Sequence, residues 1–153
     1  MFEEKLPVVL VAQEPGGRVE RALAQVQDGH PLLTLINQED VVNFIADAAE
    51  RGTPMPALVL VESIGDLPLK VIHDLREEAT TRAIPVVVLA DQVDKTRLMS
   101  ALEARANSIV AIPERDDALK NVAELIRKFW LELNEVAPPS NVHLAHRDSR
   151  IVS

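Results

Sequence analysis

Cysteine is absent from the 153 residues. That excludes disulfides, thiolate metal sites and cysteine nucleophiles. Basic runs are missing as well: 16 Lys and Arg stand against 24 Asp and Glu, for a formal net charge of −8. So acidic a chain is a poor match for nucleic acid, where Lys and Arg must displace counterions. No apolar N-terminal segment reaches the length of a signal peptide or a membrane span. A cytoplasmic protein without membrane association is therefore expected. Glycine-rich phosphate cradles are lacking, since Gly16-Gly17 fits neither the G-x-G-x-x-G nor the Walker spacing and reads as easing a turn. Aromatics make up 3% of the chain, so the adjacent pair Phe129 and Trp130 stands out.

What is present is a soluble balance of 47% hydrophobic and 26% charged residues, at a length that suits one domain with a real core. Five short apolar runs, at 8–12, 32–36, 57–61, 85–90 and 108–112, are continuous rather than alternating. Continuous runs mark parallel strands buried on both faces. Helical spacings lie between them. Val19, Ala22 and Leu23 form one, and Val41, Phe44, Ile45 and Ala48 another, with Asp40 as candidate N-cap and Gly52 as stop. Leu69, Ile72 and Leu75 form a third, and Leu98, Ala101 and Leu102 a fourth, with Asp94 available as cap. The last stripe is the strongest: Leu119, Val122, Ala123, Ile126, Phe129, Trp130 and Leu133, from a start near Asp116. Alternation of strand and helix predicts an α/β protein, a flavodoxin-like (βα)5 doubly wound parallel sheet of order 2-1-3-4-5. Ligands of such sheets bind outside the carboxyl ends of the strands.

Those strand ends resemble the receiver domains of two-component response regulators. VLVAQEP (9–15) is similar to the family's first strand, usually V-D-D-x-P, and PALVLVE (56–62) to the strand ending in the phosphorylated Asp. TRAIPVVVLA (81–90) and ARANSIVAIP (104–113) resemble the fourth and fifth strands with their lead-ins. IRKFWLELNEVAPP (126–139) and LLTLINQEDVVNFI (32–45) further resemble stand-alone receivers paired with bacterial phytochromes. The resemblance covers residues 1–134. Residues 135–153 read as a tail, extended or disordered, that could lie at a dimer interface. With only 19 residues after Asn134, no output domain is expected there.

The resemblance implies five working parts, and each is altered. The acidic pair that would hold Mg²⁺ reads Ala12-Gln13, and the acceptor position holds Glu62. The hydroxyl position is Ala90, the lysine position Ile112 and the aromatic position Ile109. Glu114 adds negative charge where a phosphate would need relief. No catalytic residue, metal or cofactor is expected, and Glu62 reads as a remnant: a solvated carboxylate at a sheet edge rather than an imitation of the phosphorylated state. Arg105 stands where the family has a Gly, which implies strain if the backbone there is left-handed. Ser63 and Asp66 read as loop residues, His73 as a surface residue and His30 as part of a turn. His143 and His146 are too few for a metal site.

Function is then expected in surfaces. The resemblance implies a homodimer through the fourth helix, fifth strand and fifth helix, and a protein partner such as a histidine kinase. Interface candidates are Leu98, Leu102, Ile109, Phe129, Trp130 and Leu133. The alternatives are unconventional phosphorylation, or a small apolar ligand in the crevice near Ala12, Ala90 and Ile112.

Overall fold

A computed structural model describes residues 5–36, 38–52, 55–65 and 69–136. Five strands form one parallel sheet: β1 (Val8–Val11), β2 (Leu32–Leu35), β3 (Leu58–Ser63), β4 (Val86–Ala90) and β5 (Ser108–Ala111), in the order β2-β1-β3-β4-β5. The helices are α1 (Arg18–Ala24), α2 (Gln38–Arg51), α3 (Leu69–Glu77), α4 (Lys95–Glu103) and α5 (Asp116–Val136). The expected fold class and strand order are both observed.

The pattern of burial follows the pattern of residues. Every residue of β1, β3 and β4 is buried, while β2 and β5 are half-buried edges. Strand alternation divides the apolar side chains between two cores. Val9, Val59, Val61, Val86 and Val88 pack beneath α2, α3 and α4. Leu10, Leu58, Leu60, Val87 and Leu89 pack beneath α1 and α5. Only a β-branched or aliphatic run can satisfy both faces at once, which is why these strands carry no alternation.

Helix ends follow local chemistry, with one difference from expectation. The Asp94 side chain accepts the Arg97 N–H at 2.8 Å and caps α4. Gly52 ends α2 with φ +69°. α2, however, begins at Gln38, so Asp40 lies inside its first turn and is not the N-cap. Gly17 caps α1 without a side chain, and the Glu20 carboxylate accepts the Gly16 N–H at 2.9 Å instead. α5 runs to Val136, two residues beyond the fading of its periodicity. Residues 137–153, with His143 and His146, lie outside the described set, as does Asp66. Among the described residues no helix is long and apolar enough to cross a membrane.

Two buried arginines tie loops that the apolar pattern leaves undetermined. Arg127 of α5 is 1% exposed. It grips Asp28 through two 2.7 Å bonds and donates to the carbonyls of Leu23 and His30. α5 thereby fixes the α1–β2 connection. Burial by itself raises the Asp28 carboxyl; the Arg127 hydrogen bonds and charge, with the His30 N–H, outweigh it and hold the group below its ordinary 3.8. Arg76 of α3 has no carboxylate among its hydrogen-bond partners. It donates to the carbonyls of Arg82, Ile84 and Arg105 and to Asn107 Oδ1. Burial, then the charge of Arg105, pulls it down to about 10, so it stays cationic at neutral pH. Arg105 is left-handed at φ +71°, the only non-glycine with positive φ among the described residues. The strain implied for this position is therefore present.

Asp28→Asn should lower stability to urea by about 3 kcal/mol at pH 7, because it leaves the buried Arg127 without its counter-charge. A depressed folded pKa gives stability that is full above the ordinary value and lost as pH falls through the folded one. The gap between wild type and D28N should therefore be constant above about pH 5 and close in acid below 3.8. Arg105→Gly should stabilise by about 1 kcal/mol in the same assay, since it relieves the left-handed backbone and removes a charge facing Arg76.

Candidate functional site

A parallel sheet places every strand's carboxyl end, and every helix N-terminus, on one edge. The loops after β1, β3, β4 and β5 meet there. Glu62, the next-to-last residue of β3, is 6% exposed. Its Oε1 accepts the backbone N–H of Gln13 at 2.9 Å. The expectation of a solvated carboxylate at the sheet edge is thus corrected. Through this bond the Glu62 side chain reaches from β3 to the loop that follows its neighbour β1. Ser63 is likewise no loop residue: it ends β3, is fully buried and pairs with Ala90.

The other singled-out positions are separated by the two cores. Ala12 is buried in the core beneath α1 and α5, and Ala90 in the core beneath α2, α3 and α4. Ile112 packs beneath α1 and α5, and Ile109 on the opposite core. Gln13 is exposed. A cavity of about 10 Å³ touches Ile112, Leu89 and Ala111 but neither Ala12 nor Ala90. That volume is room for about one water. The residues do not fit Mg²⁺. The Glu62 carboxylate already faces an N–H donor, and no group of three or more His, Asp or Glu among the described residues is placed to hold a metal.

Two cations at this edge escaped the sequence reading. Arg97, in the first turn of α4, donates to Asp91 Oδ1 at 2.6 Å, to the Gly65 carbonyl at 2.7 Å and to the Gln92 carbonyl at 3.2 Å. The Arg97 hydrogen bond, helped by the Gly65 N–H, holds the Asp91 carboxyl below its ordinary value. Arg18, first residue of α1, donates to the carbonyls of Pro113 and Glu114 and to Asp116 Oδ1. Its contact with Glu114 is to the backbone carbonyl, and the carboxylate it meets is that of Asp116. One signal could have found both arginines. A helical side chain leans towards the N-terminus, and in a βα unit that end lies over the strand edge.

The interface candidates separate by exposure. Leu98 and Leu102 stand out from α4 beside Met99, and Phe129 is 61% exposed on α5 next to Leu125. Trp130 packs against the core beneath α5 and meets the Phe129 ring edge-on at 5.2 Å. Ile109 is half-buried against the core. Leu133 lies on α5, with its side chain outside the described set. His73 is exposed as expected, and the His30 ring meets the Leu6 carbonyl at 2.8 Å.

No family model matches the sequence. A curated protein of Methanothrix harundinacea (strain 6Ac), named "Probable methanogenesis regulatory protein FilR2", is 30% identical over 95 residues, which are 58% of this chain and 59% of that protein. The chain thus spans about three-fifths of the length of the curated relative it matches. Solved structures align over most of the chain. The phosphorylated cyanobacterial phytochrome response regulator RcpA superposes with a TM-score of 0.69 at 18% identity, over 82% of this chain and 94% of its own. A response regulator in red light signalling of R. palustris gives 0.68 at 23%, over 82% and 94%. One from Hahella chejuensis gives 0.70 at 19%, over 85% and 98%. The chain therefore has the fold of response regulator receiver domains, phytochrome-associated ones among them.

Glu62→Ala removes the acceptor of the Gln13 N–H and should lower stability by about 1–2 kcal/mol in urea unfolding. Glu62→Gln keeps an accepting oxygen and should cost less than about 1 kcal/mol. Equal losses in the two variants would contradict a role for this hydrogen bond.

Proposed function

We propose that this protein is a receiver of two-component signal transduction that works by protein–protein contact, without phosphoryl transfer. The observation that carries the reading is the state of Glu62. Of the positions that a phosphorylated receiver devotes to its chemistry, Glu62 alone here holds a carboxylate, and that carboxylate is buried against the Gln13 N–H. Ala12, Ala90 and Ile112 offer neither charge nor hydroxyl. An in-line attack on phosphorus needs a free carboxylate, a metal to neutralise charge and a cation to take up the product's charge. The Methanothrix harundinacea relative, named a probable methanogenesis regulatory protein, supports a regulatory role. The net charge of −8 argues against nucleic acid.

Contact would be made through α4, β5 and α5, in a homodimer and with a signalling partner such as a histidine kinase. Leu98, Met99 and Leu102 on one helix and Leu125 and Phe129 on the other supply exposed apolar surface. Phe129 is braced by Trp130, which roots it in the core. An aromatic held rigid before binding loses little entropy when it docks. The setting is read as the cytoplasm, with no cofactor.

Incubation with Mg²⁺ and acetyl phosphate should leave the intact mass unchanged. A gain of one phosphoryl group that hydroxylamine removes would overturn the reading. Phe129→Ala with Leu98→Ala should shift sedimentation of the full chain from dimer towards monomer at micromolar concentration, with the circular dichroism unchanged. A wild type that sediments as monomer, or a double variant that stays dimeric, would remove this face from the assembly.

A further inference from the structure

We infer that Arg97 is a built-in latch that joins the closed sheet edge to the exposed apolar face of α4. The inference rests on the phosphorylation-independent reading and says what holds the α4 surface in place without a metal or phosphoryl group.

Arg97 is in a position that helix energetics disfavour. It sits in the first turn of α4, where the helix dipole is positive and no acidic residue precedes it within that turn. Asp94 already serves as cap by accepting the Arg97 backbone N–H. The Arg97 side chain makes three further hydrogen bonds, all of them away from its own helix. One guanidinium nitrogen meets Asp91 at 2.6 Å and Gln92 at 3.2 Å in the β4–α4 loop. The other meets the Gly65 carbonyl at 2.7 Å in the β3–α3 loop. The Gly65 N–H turns back to the same Asp91 oxygen at 3.5 Å. Three segments thus share one planar fork, a geometry that lysine could not reproduce.

The next residue makes the connection. Leu98 follows Arg97 and points outward, with Met99 and Leu102 beside it. Ala101, one turn on from Arg97, is fully buried. α4 is therefore held by a small apolar contact at Ala101, near its C-terminal end, and by the arginine fork at its start. Released from the fork, the helix start would keep only the Asp94 cap. The rest of the sheet edge is closed in the same manner, by Glu62 on the Gln13 N–H and by Arg18 on Pro113, Glu114 and Asp116. Hydrogen bonds within the chain thus join the loops at this edge.

Hydrogen exchange of the full chain, followed by mass spectrometry at neutral pH, tests the latch. Arg97→Ala should speed exchange in peptides covering 91–102 and 64–65 about five-fold or more, with β1 and β3 unchanged. Arg97→Lys should recover only part of the protection. Asp91→Asn keeps the arginine and should give the same regional pattern more weakly. If Arg97→Ala disrupts folding, Asp91→Asn decides alone. Exchange within two-fold of wild type in these peptides, for either folded variant, overturns the latch. That result would leave the phosphorylation-independent reading standing, whereas a phosphoryl gain on acetyl phosphate would overturn that reading and leave the exchange pattern intact.

Discussion

The constraint on which this molecule depends is the burial of its central strands on both faces. β1, β3 and β4 expose almost nothing. A strand so enclosed can hold no polar side chain until it reaches its end. Polar chemistry is therefore pushed to the carboxyl edge, where loops and helix N-termini converge. Glu62 marks this limit. It is the first residue of β3 with a charge, and it is still 6% exposed. A carboxylate at that depth must find a donor, and the nearest strand's loop provides one.

The same constraint explains the arginines. Two helical layers closed over one sheet leave loop carbonyls pointing inward at the layer margins, where no strand can pair them. Arg76 and Arg127 each donate to two or more such carbonyls, and Arg97 and Arg18 each donate to two loop carbonyls on more exposed ground. A guanidinium carries five donors in a rigid plane and loses hydration more readily than an ammonium. It suits a place where several acceptors converge on half-buried ground. Arg127 adds a carboxylate, and Arg76 does without one. Both connect segments far apart in sequence that the apolar cores leave free.

Against this background the proposed function is one of surfaces. Among the described residues of the sheet edge, Glu62, Arg97 and Arg18 are all engaged in intramolecular hydrogen bonds. The apolar residues of α4 and α5 that the two cores do not use remain outside. Phe129 and Trp130, adjacent in sequence, divide the work: one ring is anchored and one is presented.

The sequence by itself determined the sheet, its order and its two-sided core, because buried parallel strands need continuous apolar runs and their helices need a 3.6-residue stripe. It also determined the Asp94 cap and the Gly52 stop, since each is a local property of a few residues, whereas the left-handed backbone at Arg105 was implied only conditionally, by resemblance. The absence of hydroxyl and charge at Ala12, Ala90 and Ile112 was readable letter by letter. Tertiary structure alone decided where Glu62 points, that Ser63 is buried and that Trp130 belongs to the core while Phe129 does not. It alone brought Arg97 to Asp91 and Gly65, and Arg127 to Asp28 across 99 residues. Periodicity reports which face of an element is apolar, a short-range matter. The partner of a polar side chain depends on which loops the packed layers bring within about 3 Å, and no local pattern encodes that distance.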